Sequence, residues 1–156
     1  MIIRPKPFLV CLAVPLITGV LAALVTGGSM GIYQILNKPP LSPPGWLFPV
    51  VWTLLYILMG IASYLVYISD APAEKKNAAL KVYALQLAVN FLWPIWFFSL
   101  NMFLFSFVWL VLLWVLVALT ALLFYRINKT AGYLMIPYLL WVSFAGYLNL
   151  SVYLMN

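Results

Sequence analysis

Histidine is missing from this 156-residue chain, acidic residues number only two, and cysteine occurs once. Each shortage removes a class of chemistry. With Asp70 and Glu74 as the only carboxylates, serine- or metal-dependent hydrolysis lacks its base and its ligands. Haem iron would find only Cys11, tyrosines and methionine thioethers as axial ligands. The expectation is therefore no metal site, no bound cofactor and no conventional catalytic residue. Cys11, being alone, forms no internal disulfide. Charge of either sign is scarce, at 6% of residues, where a soluble domain carries about 25%. In its place stands 67% hydrophobic content and a mean hydropathy of +1.13. So few charges cannot solvate a globule, and the outer surface must face lipid.

The charges that exist divide the chain into five apolar runs, at about residues 8–26, 46–68, 82–100, 102–125 and 131–155. Each is about 19–25 residues long, enough at 1.5 Å per residue to cross a hydrocarbon core of roughly 30 Å. Helices are required, because lipid offers no partners to free backbone groups. The third and fourth runs touch, and a tight turn at Asn101 is expected to separate them. The predicted fold is an all-α integral membrane bundle of five transmembrane helices in one domain spanning 1–156. Arg4 and Lys6 before the first run give it some likeness to a signal peptide, but its length favours a retained helix.

With five crossings, Arg4, Lys6, Lys75, Lys76, Lys81, Arg126 and Lys129 share one side, and Lys38 lies alone on the other. The positive-inside rule then places the N-terminus in the cytoplasm and the C-terminus outside. The pI of about 9.6 reflects this topology and not a nucleic-acid partner, since no basic patch on a soluble face exists. No ionisable residue lies deep in a run, which argues against proton-coupled transport.

The outer connection contains Lys38-Pro39-Pro40-Leu41-Ser42-Pro43-Pro44-Gly45-Trp46. Its prolines cannot propagate a helix and stiffen the segment, which fits a lid over the outer end of the bundle better than a plain connector. Residues 28–37 before it are expected to form a short amphipathic helix. Aromatic stripes at helical spacing follow: Trp52, Tyr56, Met59 and Ser63 in the second run, Gln86, Asn90, Trp93 and Phe97 in the third, Tyr138, Trp141, Ala145 and Leu148 in the fifth. Gln86 and Asn90 need partners in hydrocarbon and should face the interior. Pro94 and Pro137 free the carbonyls of Asn90 and Tyr133. Trp46, Trp109 and Trp114 also fit the interfacial belt common to membrane proteins. Convergence of the stripes beneath the loop would make an aromatic pocket with a few amides, suited to a flat hydrophobic ligand.

These segments, with Val51-Trp52-Thr53-Leu54-Leu55-Tyr56, Asn90-Phe91-Leu92-Trp93-Pro94 and Pro137-Tyr138-Leu139-Leu140-Trp141, resemble the translocator protein family. It is also called the tryptophan-rich sensory protein or peripheral benzodiazepine receptor family. The match runs in order from about residue 32 to 150. The resemblance implies a five-helix bundle, a homodimer, and binding of tetrapyrroles such as protoporphyrin IX. It also implies binding of synthetic isoquinoline carboxamides, and of sterol in animal members. By position it assigns ligand contact to Trp52, Asn90, Trp93, Trp141, Ala145 and Leu148, with Tyr33 and Trp46 from the loop; the stripes add Tyr56 and Tyr138. It further attaches light-dependent porphyrin breakdown to Trp52 and Trp141, an oxidative-enzyme alternative to a receptor-like binding protein. A tetrapyrrole or sterol transporter is the third alternative.

Two departures stand out. Leu41 occupies a position where many members have tryptophan, and Tyr153 is followed by Leu154, Met155 and Asn156 without the basic residue of the sterol-associated pattern. Sterol is the weaker expectation. The absence of a tail or transit segment favours a prokaryotic plasma membrane over a mitochondrial outer membrane. Small residues at Ala84 and Ala88, or at Gly19 and Ala23, offer two candidate faces for close helix approach in a homodimer.

Overall fold

The computed structural model describes residues 2–29 and 31–156. The expected interfacial helix over 28–37 includes Met30, which lies outside them. Among the described residues there are seven α-helices: α1 (Pro5–Thr26), α2 (Ile32–Ile35), α3 (Leu47–Tyr67), α4 (Ala73–Pro94), α5 (Phe103–Ile127), α6 (Lys129–Leu134) and α7 (Ile136–Met155). Among the described residues there is no strand. Five helical segments are long and apolar enough to cross a membrane: α1, α3, α4 with its continuation to Ser99, α5, and α6 with α7. Their outer faces carry Leu9, Leu24, Val108 and Leu140, all exposed, as a lipid-facing surface requires.

Three boundaries depart from hydropathy. α4 begins at Ala73, well before the apolar run, so most of the polar 70–81 stretch is helical. Glu74 in its first turn complements the helix dipole, and the Lys76 ammonium donates to the carbonyls of Tyr67 (3.0 Å) and Ser69 (2.8 Å) at the end of α3. After Pro94 the helix widens into a π turn, Ile95–Ser99, closed by the Leu100 amide on Ile95 O at 3.0 Å. The chain reverses at Asn101, whose φ of 53° is left-handed, a conformation asparagine tolerates better than most residues. The fifth run is broken at Met135, because Pro137 occupies the first turn of α7.

Around the bundle, α1 lies against α3, α3 against α6, and α7 against α5; α5 packs on α4 and α4 returns to α1. Two glycines set the closest approaches. A methyl group built on Gly60 would lie 2.8 Å from the Cys11 carbonyl oxygen and 2.9 Å from Leu12 Cα, so α1 and α3 touch backbone to backbone there. On α6, a methyl on Gly132 would meet Tyr125 Cα at 2.6 Å. The helices at this basic end enclose Met59, Val66, Ala79, Val117, Phe124 and Met135, all fully buried.

The remaining tryptophans are not simply a belt. Trp109 Nε1 donates to Val89 O and Trp114 Nε1 to Ser143 Oγ, each at 2.8 Å, joining α5 to α4 and α5 to α7.

Candidate functional site: a lidded aromatic cavity

Towards the end that carries Lys38, the helices border a half-open cavity of about 550 Å³, within the range of small-molecule sites. Four spans and the loop build its wall; α5 contributes no lining residue. From α3 come Phe48, Trp52 and Tyr56, spaced by four so that their rings rise along one helical face. α4 and its π turn supply Asn90, Trp93 and Phe97, with Trp93 and Phe97 stacked at 5.3 Å. α7 supplies Trp141, Ala145 and Leu148.

The fourth wall is α1, through Leu16, Gly19, Ala22, Ala23 and Thr26. The sequence had pointed to packing or dimerisation for this helix. Gly19 is instead consumed inside the bundle: a methyl there would stand 2.5 Å from Tyr56 Cε2. Its small residues make room for the cavity and for the Tyr56 ring. The only signal for this was the small-residue spacing, read as a surface feature because an apolar helix has no polar face to orient it.

Eight of the ten predicted ligand positions meet here: Tyr33, Trp52, Tyr56, Asn90, Trp93, Trp141, Ala145 and Leu148. Two do not. Trp46 precedes α3 in a turn closed by the Leu47 amide on Pro44 O and is 67% exposed, outside the cavity wall. Tyr138 is fully buried one layer below and forms part of a hydrogen-bonded floor. There the Tyr56 hydroxyl donates to Asn90 Oδ1 at 2.8 Å, and Asn90 Nδ2 donates to Tyr138 Oη at 2.6 Å. The Tyr138 hydroxyl donates in turn to Gln86 Oε1 at 2.6 Å, and Gln86 Nε2 lies 3.9 Å from Met59 Sδ. The amides of α4 thus bind α3 and α7 together, satisfying polar groups that lipid could not. Met59 and Ser63, on the α3 stripe, are buried beneath the floor.

Beyond the expected set and the α1 residues, the wall includes Lys38, Ser42, Phe48 and Asn149. Asn149 accepts from Trp93 Nε1 (3.0 Å) and donates to Phe103 O (2.8 Å), fixing one indole of the wall.

The loop is fastened over this cavity. The Tyr33 hydroxyl donates to Pro43 O at 2.7 Å and the Tyr147 hydroxyl to Pro40 O at 2.9 Å. Asn37 and Asn156 pair through Asn156 Nδ2 to Asn37 O (3.0 Å) and the Asn37 amide to Asn156 Oδ1 (3.2 Å), tying the loop to the end of α7. Tyr33 packs edge-on against Phe48 at 5.1 Å, and burial pushes its phenol pKa up against a smaller opposing effect of Ser42. It therefore remains a donor at neutral pH. Leu41, at φ 70°, forms the exposed apex of the turn.

Known proteins carry the same arrangement of sequence. A sequence model of the TspO/MBR family matches residues 11–154. The chain is 43% identical over 124 residues to the tryptophan-rich protein TspO of Chlorobaculum tepidum, covering 80% of this chain and 78% of that one. It is 42% identical over 126 residues to protein CrtK of Rhodobacter capsulatus, with the same coverage. With the translocator protein of Bos taurus it shares 36% identity over 137 residues, 86% of this chain and 81% of the other. A match spanning every helix that builds the cavity, at identities of this order from bacteria to mammals, means that this integral membrane protein belongs to the TspO/MBR family.

Proposed function

We propose that the protein is a receptor-like membrane binding protein for porphyrin, protoporphyrin IX in particular, and for similar flat hydrophobic ligands. The observation that carries this reading is the cavity itself: about 550 Å³, bordered by a tethered loop and walled by Trp52, Trp93, Trp141 and Phe48. Aromatic faces offer large apolar contact at low conformational cost, and offset stacking suits a planar ring. The sequence's shortage of iron ligands agrees with a metal-free porphyrin.

Tryptophan fluorescence quenching by protoporphyrin IX tests the reading. Replacing Trp52 and Trp141 together by leucine should weaken binding about tenfold or more, at ~1 kcal/mol or more per lost aromatic contact. Trp46→Phe should leave affinity unchanged. An unchanged affinity in the double variant would remove the assigned pocket.

We further propose a prokaryotic plasma membrane location with the basic end of the bundle cytoplasmic, in keeping with the positive-inside rule. It also carries a homodimer. Gly19 is engaged against Tyr56 inside the bundle, whereas Ala84 and Ala88 are both exposed on α4, which favours the α4 face for the contact.

A further inference from the structure

We infer that the cavity selects anionic ligands, and that Lys38 is the residue that reads a carboxylate on the flat hydrophobe held there. This deepens the porphyrin reading and rests on it for the ring, but not for the charge.

Lys38 is the one cation at its end of the bundle, and the cavity wall includes it while including no acidic residue. The only carboxylates, Asp70 and Glu74, flank the start of α4 at the opposite end. A lysine at the rim of a bundle ordinarily extends its ammonium toward water or headgroups. This one is held inward. Its Nζ donates to Tyr33 O at 2.7 Å and stands 4.6 Å over the centroid of the Tyr33 ring, an arrangement stabilised by the ring quadrupole. Tyr33 in turn is buried and anchored to Pro43.

An ammonium has three N–H donors, and the bond to Tyr33 O uses one. A partly desolvated cation beside an apolar wall favours an anion within reach, because the low dielectric strengthens the pair. The other polar groups of the wall add donors. Trp52 and Trp141 make no indole N–H hydrogen bond among the described residues, and Asn90 Nδ2 keeps one N–H beyond its bond to Tyr138. An acid entering such a cavity without a cation would pay its full desolvation. Here the ring of the ligand meets the indoles while its carboxylate meets Lys38 beneath the loop.

The test compares protoporphyrin IX with its dimethyl ester, by tryptophan quenching in nanodiscs of zwitterionic lipid, so that no lipid anion competes. The wild-type protein should prefer the free acid by about tenfold, the preference shrinking as salt is raised. Lys38→Gln, which retains a donor for Tyr33 O, should lose the preference by weakening acid binding while ester binding stays, the latter also reporting an intact fold. Lys38→Arg should keep it. Equal binding of acid and ester by the wild type, or a preference that survives Lys38→Gln, would overturn the inference. If neither porphyrin binds, the porphyrin reading falls, and pyrenebutyrate against its methyl ester decides Lys38 by the same criteria.

Discussion

The two ends of the bundle use the same kinds of residue to opposite effect. At the basic end, glycines bring backbones into contact: Gly60 on Cys11 and Leu12, Gly132 on Tyr125. At the loop end, Ala22 and Ala23 line the cavity, and Gly19 makes room for the Tyr56 ring beside it. The hydrogen-bonded floor of Tyr56, Asn90, Tyr138 and Gln86 marks the level at which one regime gives way to the other. A small residue brings helices together only where the facing element also presents a flat surface. Where it shares a cavity with Phe48, Trp52 and Trp93, the small residue becomes cavity wall. One end is thus close-packed and the other holds a cavity.

Substitution of Gly60 should break this contrast most severely. Gly60→Val drives a side chain into the backbone of α1 and should cost about 3 kcal/mol, seen as early thermal loss of the monodisperse species in fluorescence-detected size exclusion. Gly27→Ala at the loop end, where an added methyl meets nothing within 4 Å, should be silent in the same assay. A smaller effect is expected at the boundary. Asn90→Leu leaves the Tyr56 hydroxyl without its acceptor and should cost roughly 1–2 kcal/mol, near the upper range for hydrogen bonds between membrane helices, read from the same melting curves with and without ligand. The least disruptive change is at the lid. Tyr33→Phe combined with Tyr147→Phe removes the hydroxyl bonds to Pro43 and Pro40. At about 0.5 kcal/mol each, their loss should favour local opening of the loop over global unfolding, leaving the melting temperature nearly unchanged while speeding ligand dissociation and proteolytic cutting of residues 38–46. Equal sensitivity of bundle and loop would show that the two ends are not energetically separate.

Much of the site was legible in the sequence for a definable reason. Trp52 and Tyr56, Asn90 and Trp93, and Trp141, Ala145 and Leu148 fall on helical spacings, and the amides mark which face must turn inward in lipid. Pattern failed where no polarity orients a segment. α1 is apolar on all sides, so its membership in the wall could not be read from its residues. Spacing put Tyr138 on the same stripe as Trp141, yet the break at Met135 and the bond to Gln86 set it into the floor. Trp46 looked like a loop tryptophan over the ligand and is instead exposed. Lys38 was read only as a topological marker; that its ammonium turns back over Tyr33 depends on a contact five residues away and on how the prolines fold the loop.

By itself the sequence determined the membrane bundle, the five crossings and the family, because hydropathy, charge placement and ordered motifs are one-dimensional properties that lipid constrains strongly. The tertiary structure alone decided that small residues close one end and line a cavity at the other, that α1 completes the wall, and that one lysine faces inward. Each of these depends on what stands opposite a side chain, and that is fixed only when the helices meet.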